Sequence, residues 1–418
     1  PHHEKEGSYY TIKQLWSPIQ IMNTSIDRQF DGKFSVENRY DYLNLNTCRF
    51  LWKQVKFPQA TDASNTAAQV LKEGEVQGSD VAAHSVGVLD IKTNILANTD
   101  ALYLTAIDKY GHELWRWTFP VDKLNQRTEP ISLLSIRPTY TETENDLTVK
   151  ANKRTFIFSK KDGQLKGVSV DNRKISFANG PRFIGARRAD RSLDQFYNHD
   201  DEKAKEKDRT YSEFLDAAVF TKLDVKQDGG DLIVTANYKL GNLDKAQWTI
   251  SPSGDLVLDY TYNFSGVVDL MGICFDYPED QVISKRWLGA GPYRVWQNRI
   301  HGTQYDVWEN DYNDPIPGET FTYPEFKGYF GDVSWMNIRT KEGIISLTNE
   351  TPDAYVGIYQ PRDGRDRLLY TLPESGISLL NVIPPVRNKV NSTDLCGPSS
   401  QPKWVNGPQT GRIVFRFM

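Results

Sequence analysis

The sequence predicts an all-β chain, a small β-sandwich followed by a much larger antiparallel β domain. Three observations predict it. Short runs rich in Val, Ile, Thr and aromatic residues recur along the chain, separated by turns containing Gly, Asp and Ser. Between them no long stretch repeats its apolar residues at the helical period. A length of 418 residues also exceeds what one ordinary core holds, so more than one domain is needed.

The elements follow in order. Residues 32–40 alternate apolar and polar, and 49–57 form a second β-rich run. Residues 101–107 and 113–119, joined by the glycine-containing segment 108–112, read as a hairpin. Strands at this spacing suggest a sandwich of about 100 residues. Residues 120–145 are looser and read as a linker or edge strand, so domains of 1–145 and 146–418 are expected. In the second, 155–158 leads through the turn 161–164 into 165–170. Residues 231–238 follow a turn at 227–230, and 246–250 and 255–262 flank 251–254. The charge-dense segment 200–209 reads as a short solvated helix. No further linker interrupts 146–418, which is read as one large β domain of roughly 270 residues.

Charge and composition exclude several function classes. Lys and Arg number 50 against 54 Asp and Glu, a net charge of −4, which argues against binding nucleic acid through a basic surface. The most apolar stretches, 267–275 and 377–386, fall short of the roughly 20 residues that cross a bilayer. No basic segment followed by an apolar core marks a secretory signal in the first residues. Cys48, Cys274 and Cys396 lack the spacing of a disulfide framework or a zinc site, and they leave the compartment open.

Phosphate-binding glycine loops, H-E-x-x-H and G-x-S-x-G are all absent, and no cofactor is expected. Asp306, Glu309, Asp311, Asn313 and Asp314 are rich in oxygen but lack the order of a calcium loop, so no metal is expected either. Aromatic residues are more informative. They crowd the stretch from Trp287 to Trp335, interleaved with Arg286, Arg294, Asn298 and Arg299. Flat rings stack on the C–H faces of sugars while Arg and Asn reach hydroxyls, so the composition fits a carbohydrate surface. The competing reading is that the rings fill a sandwich core.

These residues also carry a resemblance. Trp287-Leu288-Gly289-Ala290-Gly291-Pro292, then Asn298-Arg299 and Asp306-Val307-Trp308, resembles the signature of the C-terminal, small-chain domain of glycoside hydrolase family 2 β-galactosidases. Residues 158–165 and Asn179-Gly180-Pro181-Arg182-Phe183 resemble the start of that domain, and Val36-Glu37-Asn38-Arg39-Tyr40 the immunoglobulin-like domain before it. The segment 7–21 resembles the exit from the family's catalytic barrel. The resemblance implies an immunoglobulin-like β-sandwich followed by a galactose-mutarotase-like supersandwich. The family's two catalytic glutamates lie in a (β/α)₈ barrel, which needs about 250 residues of alternating strand and helix. Nothing in this chain reads that way.

The chain is therefore expected to be non-catalytic and inactive alone. Its implied partners are a β-galactoside-type glycan, a catalytic barrel in the same chain or a partner subunit, and further copies of itself. In the family, a loop before the final strand carries a Trp that stacks on substrate. Here 396–404 precede a strand expected at 411–417, so Trp404 is the matching residue, placed in a loop. The substrate-binding candidates are Trp404, Trp296, Arg294, Asn298 and Trp308. Two rival functions remain: a stand-alone carbohydrate-binding module, and an aldose epimerase using His301 with Glu309 or Glu325.

Overall fold

The computed structural model describes residues 5, 7–63, 66–122, 136–188, 211–214, 216–311, 328–358, 372–373, 375–386 and 396–418. The chain divides into two compact units. The first comprises Pro1–Gln126, Arg286–Tyr293 and Ile300–Glu309, and the second Arg127–Lys285, Arg294–Arg299 and Asn310–Met418. Among the described residues the architecture is all-β with antiparallel sheets, as the sequence predicts.

In the first unit, a three-stranded sheet of Ile19–Ile21, Lys33–Asn38 and Ser85–Asp90 faces a four-stranded one. The latter runs Gln69–Gln77, Arg49–Lys56, Ala101–Ile107, Glu113–Pro120. Period-two alternation buries Phe34, Val36 and Asn38 while Lys33 and Ser35 face solvent. The inward residues of both sheets share one core, in which Phe34 and Val36 cluster with Phe50, Trp52, Leu102 and Leu104. Burying each of these side chains is worth about 1.5–3 kcal/mol. At the expected hairpin, the Asp108 carboxylate accepts the N–H groups of Tyr110 and His112 at 2.9 and 2.8 Å.

The helix Gly7–Leu15 was not legible as a helix in the sequence. One face holds it to its own unit. Tyr10 lies 5.2 Å from the ring of Tyr293, and Thr11 Oγ1 donates to the His301 carbonyl at 2.8 Å. Gln14 Oε1 accepts the Gly302 N–H at 2.6 Å. Gly302 has φ +87°, and a Cβ there would stand 2.5 Å from the Thr11 nitrogen, so only glycine fits this approach. The other face leaves Tyr9, Ile12, Leu15 and, one residue on, Trp16 exposed.

The second unit contains two large sheets. The first runs Tyr355–Ile358, Ile377–Val382, Leu270–Asp276, Ala178–Arg188, Leu165–Val170, Arg154–Ser159, Asp146–Ala151, Thr139–Glu142. The second includes, in hydrogen-bonded order, Val219–Asp228, Asp231–Lys239, Leu243–Ile250, Leu256–Val268, Lys403–Phe417, Gly343–Asn349 and Trp335–Thr340. Aromatic pairs join them. Phe156 meets Phe417 at 6.3 Å, Phe158 meets Trp248 at 6.0 Å, and Phe275 meets Phe415 at 5.5 Å. Such pairs contribute about 0.5–1.5 kcal/mol beyond their buried area.

The final strand differs from expectation. It begins at Lys403, because Leu256–Val268 pairs with it continuously from Val268↔Lys403 to Leu256↔Phe415. Pro408 has no N–H to give a sheet. Pro408, however, faces Asn263, whose N–H is turned the other way, to the Asn242 carbonyl at 2.8 Å. The proline therefore removes no ladder bond. The helix expected at 200–209 lies outside the described residues. Among the described residues no helix is long and apolar enough to cross a membrane.

Candidate functional site

The glycine-rich signature of the first unit folds into a packed cluster. Trp287 is fully buried, and its indole N–H donates to the Ala290 carbonyl at 3.0 Å. Trp308, expected at a sugar surface, donates its N–H to the carbonyls of Gln304 and Gly289 at 3.0 and 3.2 Å. Its ring lies against Gly291, where a Cβ would stand 2.4 Å from the indole Cδ1. The glycine at 291 is thus what lets the Trp308 indole pack on the backbone that Trp287 braces through Ala290.

Asp306 of the oxygen-rich segment is engaged in the same unit. Its carboxylate pairs with Arg116 Nη2 at 3.0 Å and accepts the Tyr103 hydroxyl at 2.8 Å. The Arg116 guanidinium in turn lies 4.7 Å above the Tyr103 ring. Burial, reinforced by the Asp306 charge, pushes the Tyr103 hydroxyl well above the usual tyrosine range, so it serves as a neutral donor. Glu309 is exposed, and Asn313 and Asp314 lie outside the described residues. Among the described residues no group of three His, Cys, Asp or Glu is placed to hold a metal ion. His301 is exposed and forms no ion pair with Glu309, while Glu325 lies outside the described residues.

In the second unit, the segment 294–299 makes a tight turn. Val295 exchanges backbone hydrogen bonds with Tyr329 at 2.7 and 2.9 Å, and Arg299 N–H returns to the Trp296 carbonyl at 2.8 Å. Trp296 is only 3% exposed, edge-on to Tyr329 at 5.4 Å, in a core with Leu270, Leu380 and Ile383. Arg294 is partly buried beside Gly328. Asn298 reaches across to two other segments. Its Nδ2 donates to the Val386 carbonyl at 2.8 Å and to Ser400 Oγ at 2.9 Å, and its Oδ1 accepts the Val386 N–H at 2.9 Å. Gln297, which the sequence did not single out, donates from Nε2 to the carbonyls of Ser399 and Gln401 at 2.9 and 2.7 Å.

These bonds hold the short 3₁₀ turn Pro398–Ser400, which feeds directly into the strand Lys403–Phe417. Trp404 lies near the start of that strand, opposite Val267, and not in a loop as expected. The continuous pairing with Leu256–Val268 draws it into the sheet. Its side chain is nonetheless 69% exposed, so the indole is open to solvent and not anchored in the core. An open indole on a paired strand, fed by a turn held with side-chain amides, is a platform on which a flat apolar face can stack.

Comparison with known proteins agrees with the sequence signature. The family model described as the β-galactosidase small chain matches residues 150–380, more than half of the chain. A curated β-galactosidase from Priestia megaterium (strain DSM 319 / IMG 1521) is 20% identical over 357 residues, covering 82% of this chain and 32% of that protein. The chain thus spans about a third of that relative's length. A solved galactose 1-epimerase from Lactobacillus acidophilus NCFM is similar to 68% of this chain and 99% of its own, at 9% identity and a TM-score of 0.36.

Proposed function

Because this chain belongs to the β-galactosidase small-chain family, we propose that it is a non-catalytic part of a family 2 glycoside hydrolase of the β-galactosidase type. In this reading it shapes the sugar pocket and packs on a catalytic (β/α)₈ barrel, in the same chain or in a partner subunit. The barrel supplies the two carboxyl groups, one as acid/base and one as nucleophile, that cleave a terminal β-linked sugar with retention. This chain supplies shape and an apolar face.

The observation that carries the pocket-shaping role is the open indole of Trp404. Leaving a side chain of that size in water forgoes about 1.5–3 kcal/mol of burial, which a stacked sugar recovers in part. Packing on the barrel is supported by the helix Gly7–Leu15. Tyr9, Ile12 and Trp16 stand at helical spacing on the face turned away from the contacts to Tyr293, His301 and Gly302, and Trp16 is 81% exposed.

Two experiments test the proposal. The chain alone, made in a host without its own β-galactosidase, is expected to give no turnover of a chromogenic β-galactoside; enzyme-like turnover overturns the non-catalytic reading. In the enzyme assembled with its barrel, Trp404→Ala is expected to weaken substrate binding by about 1–3 kcal/mol, the worth of a lost stacking contact. Unaltered kinetics would remove Trp404 from the pocket.

A further inference from the structure

We infer that Gln297 and Asn298 are positioning residues that set the face Trp404 presents, an inference resting on the proposed sugar-facing role of Trp404. A side-chain amide has two N–H donors. Asn298 spends both, on the Val386 carbonyl and on Ser400 Oγ. Gln297 also spends both, on the carbonyls of Ser399 and Gln401. Neither has a donor left for a sugar hydroxyl, and Asn298 Oδ1 already accepts the Val386 N–H, so Asn298 serves the turn and the Val386 segment in place of the direct sugar contact its sequence position suggests.

What the two amides grip is the turn that fixes the register of the final strand. They hold Ser399, Ser400 and Gln401, and Gln401 Nε2 closes the loop on the Cys396 carbonyl at 2.8 Å. The strand then starts with Lys403 opposite Val268 and Trp404 opposite Val267. Side chains alternate between the faces of a sheet, so a slip of one residue turns Trp404 to the opposite face. Among the described residues, 403–410 pair with Leu256–Val268 alone, because the neighbour Gly343–Asn349 reaches only residues 413–417. Register at this end is therefore held by one strand and by the turn before it. Two adjacent amides pin it, Gln297 with two bonds to that turn and Asn298 with one bond to the turn and two to Val386.

The test uses this chain assembled with its barrel and labelled with 5-fluorotryptophan, its Trp404 signal assigned by Trp404→Phe and titrated with methyl β-galactoside. In the unmutated chain the Trp404 signal is expected to shift with the sugar. In Gln297→Met and in Asn298→Ala the same signal is expected to broaden or split, and the sugar to bind about 2- to 10-fold more weakly, the range for one or two lost hydrogen bonds. The other tryptophan signals are expected to stay in place. If Asn298→Ala unfolds the chain, Ser400→Ala, which removes only one bond to the turn, decides with Gln297→Met. A sharp Trp404 signal and unchanged affinity in these variants overturn the inference while leaving the platform reading standing. A Trp404 signal indifferent to sugar in the unmutated chain overturns the platform reading, and this inference with it.

Discussion

Trp308 and Trp404 are both candidates for a sugar surface in the sequence, yet the structure uses them in opposite ways. Trp308 lies on Gly291 with its N–H given to two backbone carbonyls. Trp404 stands on a strand end with its indole in solvent. The difference teaches what a family signature records. In this signature Gly291 is a packing constraint, because it marks where a ring comes too close for a Cβ. The open indole has no such neighbours, so only its place before the last strand points to it.

The largest expected effect lies at the packed end of this comparison. Trp287 is fully buried with its N–H satisfied, so Trp287→Ala leaves a cavity and removes the bond to the Ala290 carbonyl. A loss of about 3–5 kcal/mol is expected in urea unfolding of the chain. A loss below about 1 kcal/mol, the level of an ordinary surface change, would show that the signature is not a packing unit.

Gly291→Ala should come next. The added methyl meets the indole of Trp308, which cannot yield without breaking its bonds to Gly289 and Gln304. The expected cost is about 1–3 kcal/mol, typical of overpacking. Adding Trp308→Ala to the same chain should make the glycine substitution nearly free, since the clash is then gone. If the cost of Gly291→Ala persists without the indole, the glycine serves the backbone and not the ring.

The fold was legible where one local rule decided it. Residues 101–107 and 165–170 form strands with the bounds expected, because β-branched and apolar residues lie between clear turn residues. The helix at Gly7–Leu15 was missed because its exposed face, Tyr9, Ile12 and Leu15, is apolar and its held face, Tyr10, Thr11 and Gln14, is mostly polar. That inverts the usual signal. The start of the last strand was missed because whether Pro408 breaks it depends on which way Asn263 turns its N–H, a long-range fact. At the candidate site, Trp404 was singled out from an expected loop before the final strand, whereas the structure places it on that strand. Gln297 was invisible, since nothing local says that its amide will meet a turn a hundred residues on.

The smallest expected effect sharpens the comparison most. On stability, Trp404→Ala removes a cross-strand neighbour of Val267 and little else. A pair of that kind contributes about 0.2–1 kcal/mol, and the ring is 69% exposed, so the loss should lie at the low end of that range. The strand itself should persist, because the register from Leu256 to Val268 rests on backbone bonds along its whole length and on the turn held by Gln297 and Asn298. Urea unfolding of the Trp404→Ala chain should therefore nearly superimpose on that of the unmutated chain, while Gly291→Ala is displaced. Should Trp404→Ala cost as much as Gly291→Ala, the indole would be a packing residue like Trp308, and the contrast between the two tryptophans would fail.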